Sequence, residues 1–253
     1  GYIAEISYDY SDAPGISVAA LDVMRLLMEN SRINYRYTEK TYTAVVKTVL
    51  AKYLTLCSDL RNVETTTEQL EGITQNGTDY DFLKKIAKKA NKEFFIFSGA
   101  AYFRTPGKNN TAVMTLEWGK NLMEFRMSNT YCHERITVQG IDAQKHVTVE
   151  SSVTVKAADA VSLLTSPLER VVQKTDLDTV EKAKKLAESM KREKEQQVRN
   201  ASGSCIGLPQ LVPGRFIYVK GLNGSKSEKY YLKSVKHSFG SDGFSTSFTT
   251  GAD

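Results

Sequence analysis

Histidine, cysteine and tryptophan are scarce in this chain, at three, three and one of 253 residues. The cysteines, Cys57, Cys132 and Cys205, are odd in number and far apart, with no Cys-x-x-Cys pair. This excludes a disulfide framework and a zinc-ribbon ligand set, and it fits reduced thiols. His133, His146 and His237 lack a His-x-x-x-His spacing. Neighbours on a strand face opposite ways, so adjacent Cys132 and His133 are poorly placed to share one metal. Neither a metal nor a cofactor is therefore expected. No apolar run reaches the roughly eighteen residues that a membrane-spanning helix needs. The first residues carry neither a basic leader nor an apolar signal core. One-sided charge is missing too: the formal balance is +5, with acids and bases interleaved. A nucleic-acid surface would call for a concentrated basic face.

What is present is an ordinary globular composition, 41% apolar and 25% charged, which can build a real core. The chain opens without Met inside what reads as a strand, so it is expected to begin within a longer protein. In residues 1–10, Tyr2, Ala4, Ile6 and Tyr8 can share one side and Ile3, Glu5, Ser7 and Asp9 the other. A turn at Asp12–Gly15 returns the chain as Ile16–Ala20, and Met24, Leu27 and Met28 then lie at helical spacing. Ile33, Tyr35 and Tyr37 alternate as a strand, and Val45, Val46, Val49, Leu50 and Tyr53 share a helix face. After a polar stretch, Thr78 is positioned to cap a helix with Asp81 three residues on. Phe82, Leu83, Ile86 and Ala87 form its apolar face, and Lys84, Lys85, Lys88 and Lys89 its wet one. Strands are expected at Glu93–Ser98, Ala100–Arg104, Met123–Met127, Arg135–Ile141 and Val147–Val155. A strongly charged helix with the stripe Val180, Ala183, Ala187 and Met190 spans 176–199.

No catalytic constellation stands out. Asp79 and Asp81 are accounted for by helix capping, and Asp142 by a turn. A Cys-His nucleophile pair at Cys57 or Cys205 is conceivable, but nothing selects it. Gly221–Ser227 lacks the phosphate-loop spacing and reads as a hairpin loop. Tyr230, Tyr231, Phe239, Phe244 and Phe248 are the residue types of a base-stacking platform, yet no dense basic groove accompanies them, so core filling is the better account.

The closing stretch, Leu208–Thr250, is the most specific. A Pro213–Gly214 turn feeds a strand at Arg215–Lys220. Glycine-bearing turns then separate two more, Tyr230–Phe239 and Phe244–Thr250, an antiparallel meander. This segment closely resembles the C-terminal barrel of the phage late control D family, the tail-hub proteins that join a contractile tube to its spike. Two further stretches resemble that family in the right order. One is Asn76–Leu83, with Asn91 where many relatives place glycine; the other is Ile136-Thr137-Val138-Gln139-Gly140-Ile141-Asp142.

The resemblance implies an α+β, mainly β, fold. It would comprise two small β-barrel-like domains, an α/β insertion and the charged helix, with the first barrel truncated. Residues 1–32 would be the remainder of that barrel with its exit helix, and 33–133 the insertion. Residues 134–165 and 204–253 would form the second barrel, with 166–203 a helical insertion. The implied protein is a structural baseplate hub, not an enzyme. Three copies would form a ring between a sixfold tube and a threefold spike, touching tube, spike and other baseplate proteins. In a phage, DNA would pass through the lumen. Such a part belongs to a virion or phage-tail-like particle assembled in the bacterial cytoplasm. Candidate ring-interface residues are Arg215, Tyr218, Lys220, Tyr230, Tyr231 and His237. A cell-wall hydrolase attached to a tail is the first rival and would need two converging acids. A nucleic-acid-binding protein is the second, with steeply salt-dependent retention on DNA.

Overall fold

The computed structural model describes residues 2–68, 70, 72–107, 111–142, 146–156, 166–174, 177–222 and 228–251. The fold is mainly β and divides into two compact units, Gly1–Pro106 and Gly107–Asp253.

The first unit opens with β1 (Tyr2–Asp9) and β2 (Gly15–Leu21), an antiparallel two-stranded ribbon. The short helix α1 (Met24–Glu29) leads into β3 (Ser31–Tyr37). Next come α2 (Tyr42–Leu50), a 3-10 turn at Ala51–Tyr53, and β4 (Asp59–Val63). β5 (Ile73–Thr78) pairs antiparallel with β3 and runs directly into α3 (Asp79–Lys89). β6 (Glu93–Phe97) and β7 (Ala100–Arg104) join β4 in a three-stranded sheet ordered β4-β7-β6. The three helices and these sheets bury one core, including Leu27, Val45, Leu50, Leu83, Ile86 and Phe103. Each such side chain contributes about 2 kcal/mol by leaving water.

α2 forms despite its valines because Val45, Val46, Val49 and Leu50 all face this core, and the Thr41 hydroxyl accepts from the Ala44 amide at 3.2 Å. The start of α3 is as its sequence implies. Thr78 Oγ1 accepts from the Asp81 amide at 3.1 Å and donates to the Asp81 carboxylate at 2.8 Å. Phe82, Leu83, Ile86 and Ala87 are buried while the four lysines are exposed. Asn91, beyond the helix end, has φ 56°, a left-handed conformation that asparagine tolerates better than most residues. Thr78→Ala should destabilise this unit by about 1 kcal/mol, read from urea unfolding followed by circular dichroism.

The second unit contains β8 (Ala112–Glu117), β9 (Leu122–Asn129), β10 (His133–Asp142), β11 (Val147–Lys156) and β12 (Leu168–Gln173). Then follow α4 (Val180–Val198), β13 (Arg199–Ile206), β14 (Phe216–Lys220), β15 (Lys229–Gly240) and β16 (Gly243–Thr250). Six strands form a curled half-barrel sheet ordered β8-β14-β15-β16-β13-β9. Its concave face buries Leu116, Leu122, Leu211, Ile217, Leu232 and Phe248. β10 lies between antiparallel β11 and parallel β12, and Ala183 and Ala187 of α4 pack on Ile136, Val138 and Val155 of that sheet.

The meander β14-β15-β16 is the one read from the closing sequence, although residues 223–227 of its first loop lie outside the described residues. Residues 157–165, expected in the second barrel, and Asp176, expected in the charged helix, also lie outside them. Two assignments differ from the sequence expectation. β8 and β9, expected within an insertion running to residue 133, are the outer strands of the six-stranded sheet. The span 166–203, expected to be helical, also carries β12 and the start of β13. In both cases the pairing partner is distant along the chain, as with Phe216 and Ala112. On α4, Lys182–Asp178 at 2.8 Å and Lys191–Glu195 at 3.8 Å are exposed pairs of small energetic weight. No described helix is long and apolar enough to cross a membrane.

Candidate assembly surfaces

The densest polar cluster surrounds Asp79, the first residue of α3, whose side chain is wholly buried. Its Oδ2 accepts from Tyr53 Oη at 2.6 Å, Lys52 Nζ at 3.0 Å and Asn30 Nδ2 at 3.2 Å. Gln75 Nε2 donates to Oδ1 at 2.7 Å, and Tyr37 Oη donates to Gln75 Oε1 at 2.7 Å. Burial pushes the Asp79 carboxyl up, but the hydrogen bonds from Tyr53, Gln75 and Lys52 outweigh it and hold the pKa below the ordinary range. Burial drives the Tyr37 phenol up to about 12. Burial, then the bond to Asp79, raises Tyr53 further. The acceptors of this carboxylate are committed to α1, the 3-10 turn and β5. The cluster ties elements together and presents no accessible general base. Nor does a thiol offer a nucleophile: burial raises Cys57, and it pushes Cys205 up to about 11.

The six residues expected at a ring interface separate by position. Tyr230 is buried in the half-barrel core, edge-on to Phe125 with ring centroids 5.2 Å apart. Tyr231 packs against Phe216 at 5.1 Å, and Tyr218 is half-buried on β14. Lys220 Nζ reaches Glu117 Oε2 at 3.1 Å. His237 is held by Thr246 Oγ1 at 2.9 Å and the Leu211 carbonyl at 3.2 Å. Arg215 is exposed just before β14. β14 is paired along both edges, by β8 and β15, so its backbone has no free side on which to receive another strand.

β9 is an end strand of that sheet: it pairs with β13, and its first residue, Leu122, also forms an isolated parallel bridge with Trp118. Along β9 the side chains alternate. Phe125 and Met127 lie opposite Gly203 and Ala201 and pack, partly buried, on the half-barrel core. Glu124, Arg126 and Ser128 face outward. Arg126, Ser128, Asn200, Ser202, Lys233 and Thr249 line a shallow hollow of about 410 Å³ on that outer face.

The β1–β2 ribbon forms a two-stranded sheet of its own. Its register pairs Ile6 with Val18 and Tyr8 with Ile16. A bulge at Ala4 then pairs Ile3 with Ala20, which brings Ile3 to the Ile6 side instead of the Glu5 side expected from plain alternation. One face is therefore apolar throughout, and exposed: Ile3 60%, Ile6 45%, Tyr8 60%, Ile16 68% and Val18 55%. The opposite face carries Glu5, Ser7, Asp9 and Ser17. Among the described residues, no ribbon side chain is part of the buried core of its unit.

A family model described as the Alg8 N-terminal domain matches residues 11–240. No curated protein matches the chain. Among solved structures the chain is similar to the tail protein from Neisseria meningitidis MC58, with TM-score 0.76 and 13% identity over 99% of this chain and 79% of that one. It is similar to the 43 kDa tail protein of prophage MuSo2 from Shewanella oneidensis, with TM-score 0.75 and 17% identity over 100% and 78% of the two chains. A third is an E. coli type VI secretion component that itself exhibits structural similarity to bacteriophage T4 tail proteins. There the TM-score is 0.62 at 13% identity, over 100% of this chain and 60% of that one. At such identities the likeness is one of fold, and the fold is that of phage tail proteins.

Proposed function

We propose that this chain, which belongs to the Alg8 N-terminal domain family and has a phage tail hub-like fold, is a structural subunit of a baseplate hub. The particle is a contractile phage tail or a phage-tail-like injection machine. The carrying observation is the likeness to two phage tail proteins along essentially the whole chain. A structural role, not catalysis, also fits the Asp79 cluster, whose carboxylate is spent on internal hydrogen bonds.

In this reading three copies form a ring between a sixfold tail tube and a threefold spike. Two similar surfaces on each of three chains present six quasi-equivalent contacts to the tube, while the threefold axis suits the spike. Tube, spike and other baseplate proteins are the partners, and in a phage DNA passes through the lumen. The subunit is made in the bacterial cytoplasm and ends in the tail baseplate. Light scattering over a concentration series tests the reading. The expected mass is three times 28.2 kDa, and a monomer throughout would overturn the ring.

A further inference from the structure

We propose that the outer face of α3 is a docking surface for an acidic protein segment, through which a neighbouring baseplate protein holds the first unit. The identity of the neighbour rests on the hub reading; the chemistry of the surface does not.

The buried side of α3 fixes which way its lysines point. Phe82, Leu83, Ile86 and Ala87 enter the core, Asp79 is tied into its buried cluster, and Thr78 caps the first turn. Lys84, Lys85, Lys88 and Lys89 therefore stand together on the outer side, all exposed. They make two rows, Lys84–Lys88 and Lys85–Lys89, each spanning about 6 Å along the helix axis. Carboxylates on alternate residues of an extended segment lie about 7 Å apart, and those four positions apart on a helix about 6 Å. Either arrangement meets a row in register.

A helix that needs only to be wetted does not require this pattern. On α4 acids and bases alternate, and Lys182–Asp178 and Lys191–Glu195 pair one turn apart. The outer face of α3 instead carries four lysines to one acid, Asp81, whose carboxylate accepts from Thr78 Oγ1 at 2.8 Å. Like charges one turn apart weaken a helix slightly. The helix dipole favours Lys88 and Lys89 in the last turn, but Lys84 and Lys85 lie in the middle, where that effect has faded. Contacts that these side chains make within the chain, such as Lys84 over the Tyr80 ring at 5.6 Å, are exposed and weak, so an incoming carboxylate can replace them.

Charge balance separates a protein partner from a nucleic acid. Residues 1–106 contain 13 Lys and Arg and 13 Asp and Glu, so the basic face is a local feature of a unit without net charge. Duplex DNA binds through many phosphates over a wide basic surface, and its backbone would meet the acids of this unit. A folded partner presents a few carboxylates in one place.

The experiment measures binding of a labelled oligo-glutamate peptide by fluorescence anisotropy. It compares wild type, Lys84→Gln/Lys85→Gln/Lys88→Gln/Lys89→Gln, and the variant with Arg at the same four positions. Gln and Arg are both good helix formers on an exposed face, and circular dichroism verifies that each variant is folded. Wild type and the Arg variant should bind alike, and the Gln variant at least about tenfold more weakly. Binding should also weaken several-fold as salt rises from about 50 to 200 mM. Peptide binding that the Gln variant keeps in full, or none by the wild type, would overturn the surface. A short duplex DNA that binds wild type more tightly than the peptide, and is lost in the Gln variant, would overturn the protein partner in favour of a nucleic acid. The hub reading is decided separately, by the wild-type mass. A monomer that binds the peptide through these lysines would sink the ring and leave the surface, and a trimer whose Gln variant binds unchanged would do the reverse.

Discussion

Gly140→Ala should lower the stability of the second unit by about 3 kcal/mol, although it adds a single methyl group. Gly140 lies in β10, between β11 and β12, in backbone any residue can adopt, so the obstacle is space alone. A Cβ there would stand 2.1 Å from the Leu177 carbonyl oxygen and 2.5 Å from the Leu177 Cβ. Leu177 is buried with Ile136 and Val138 in the core beneath α4. Relief therefore means moving backbone, and the approach to α4 with it. For a unit of this size the loss corresponds to a melting temperature lower by roughly 6–12 °C. The check is calorimetry or near-ultraviolet circular dichroism. The control is Gly207→Ala, where the new Cβ would meet the Phe244 ring at 2.0 Å. Phe244 is 38% exposed and its side chain, unlike the Leu177 backbone, can rotate about χ1, so the loss should be smaller than that of Gly140→Ala. Equal effects at the two sites would show that backbone proximity is not what holds Gly140.

The same glycine illustrates what the sequence makes legible. Gly140 lies in one of the three stretches that resemble tail-hub proteins, but its reason, the close passage of Leu177, is a contact across 37 positions and leaves no local mark. Local signals were readable where neighbours decide the outcome. The Thr78 cap, the lysine face of α3 and the turns of the closing meander all follow from residues within a few positions. Pairings over long range were not. β8 appeared as part of an insertion because nothing near Ala112–Glu117 announces a parallel partner beginning at Phe216. Position within a sheet is equally hidden: Tyr218, Lys220, Tyr230, Tyr231 and His237 lie on β14 and β15, which are internal strands of the six-stranded sheet, and Tyr230 is buried in its core. Whether a strand is internal or an edge is decided by sheet order, which no single strand's sequence records. The ribbon's alternation was visible, but its bulge at Ala4, which completes the apolar face with Ile3, was not.

Asp79→Ala should be the most damaging single change in the first unit, costing about 3–5 kcal/mol at neutral pH. The carboxylate is wholly buried, and its loss strands the Tyr53 hydroxyl and the Gln75 amide while removing the partner of Lys52. Lys52 retains 28% of its side-chain exposure, so water relieves part of its loss and the lower end of the range is favoured. The pH dependence separates the carboxylate's charge from its mere volume. The folded pKa of Asp79 is depressed, so the unfolded chain holds its proton more tightly and binds more protons in acid. Its stabilisation is therefore fully present above the unfolded value, about 3.9, and fades as pH falls through the lower folded value. The gap between wild type and Asp79→Ala should be widest near neutrality and narrow steadily below about pH 4. Asp79→Asn, nearly isosteric, should lose much of the same stability, because an amide nitrogen cannot accept from both Tyr53 and Lys52. Tyr53→Phe should cost about 1–2 kcal/mol alone and much less in the Asp79→Asn background, since the two groups share one bond. Urea unfolding of the five chains (wild type, the three single variants and the Tyr53→Phe/Asp79→Asn double variant) at pH 7 and pH 3.5 measures all of these differences. A gap that does not change with pH would mean that Asp79 acts through packing and not through its charge.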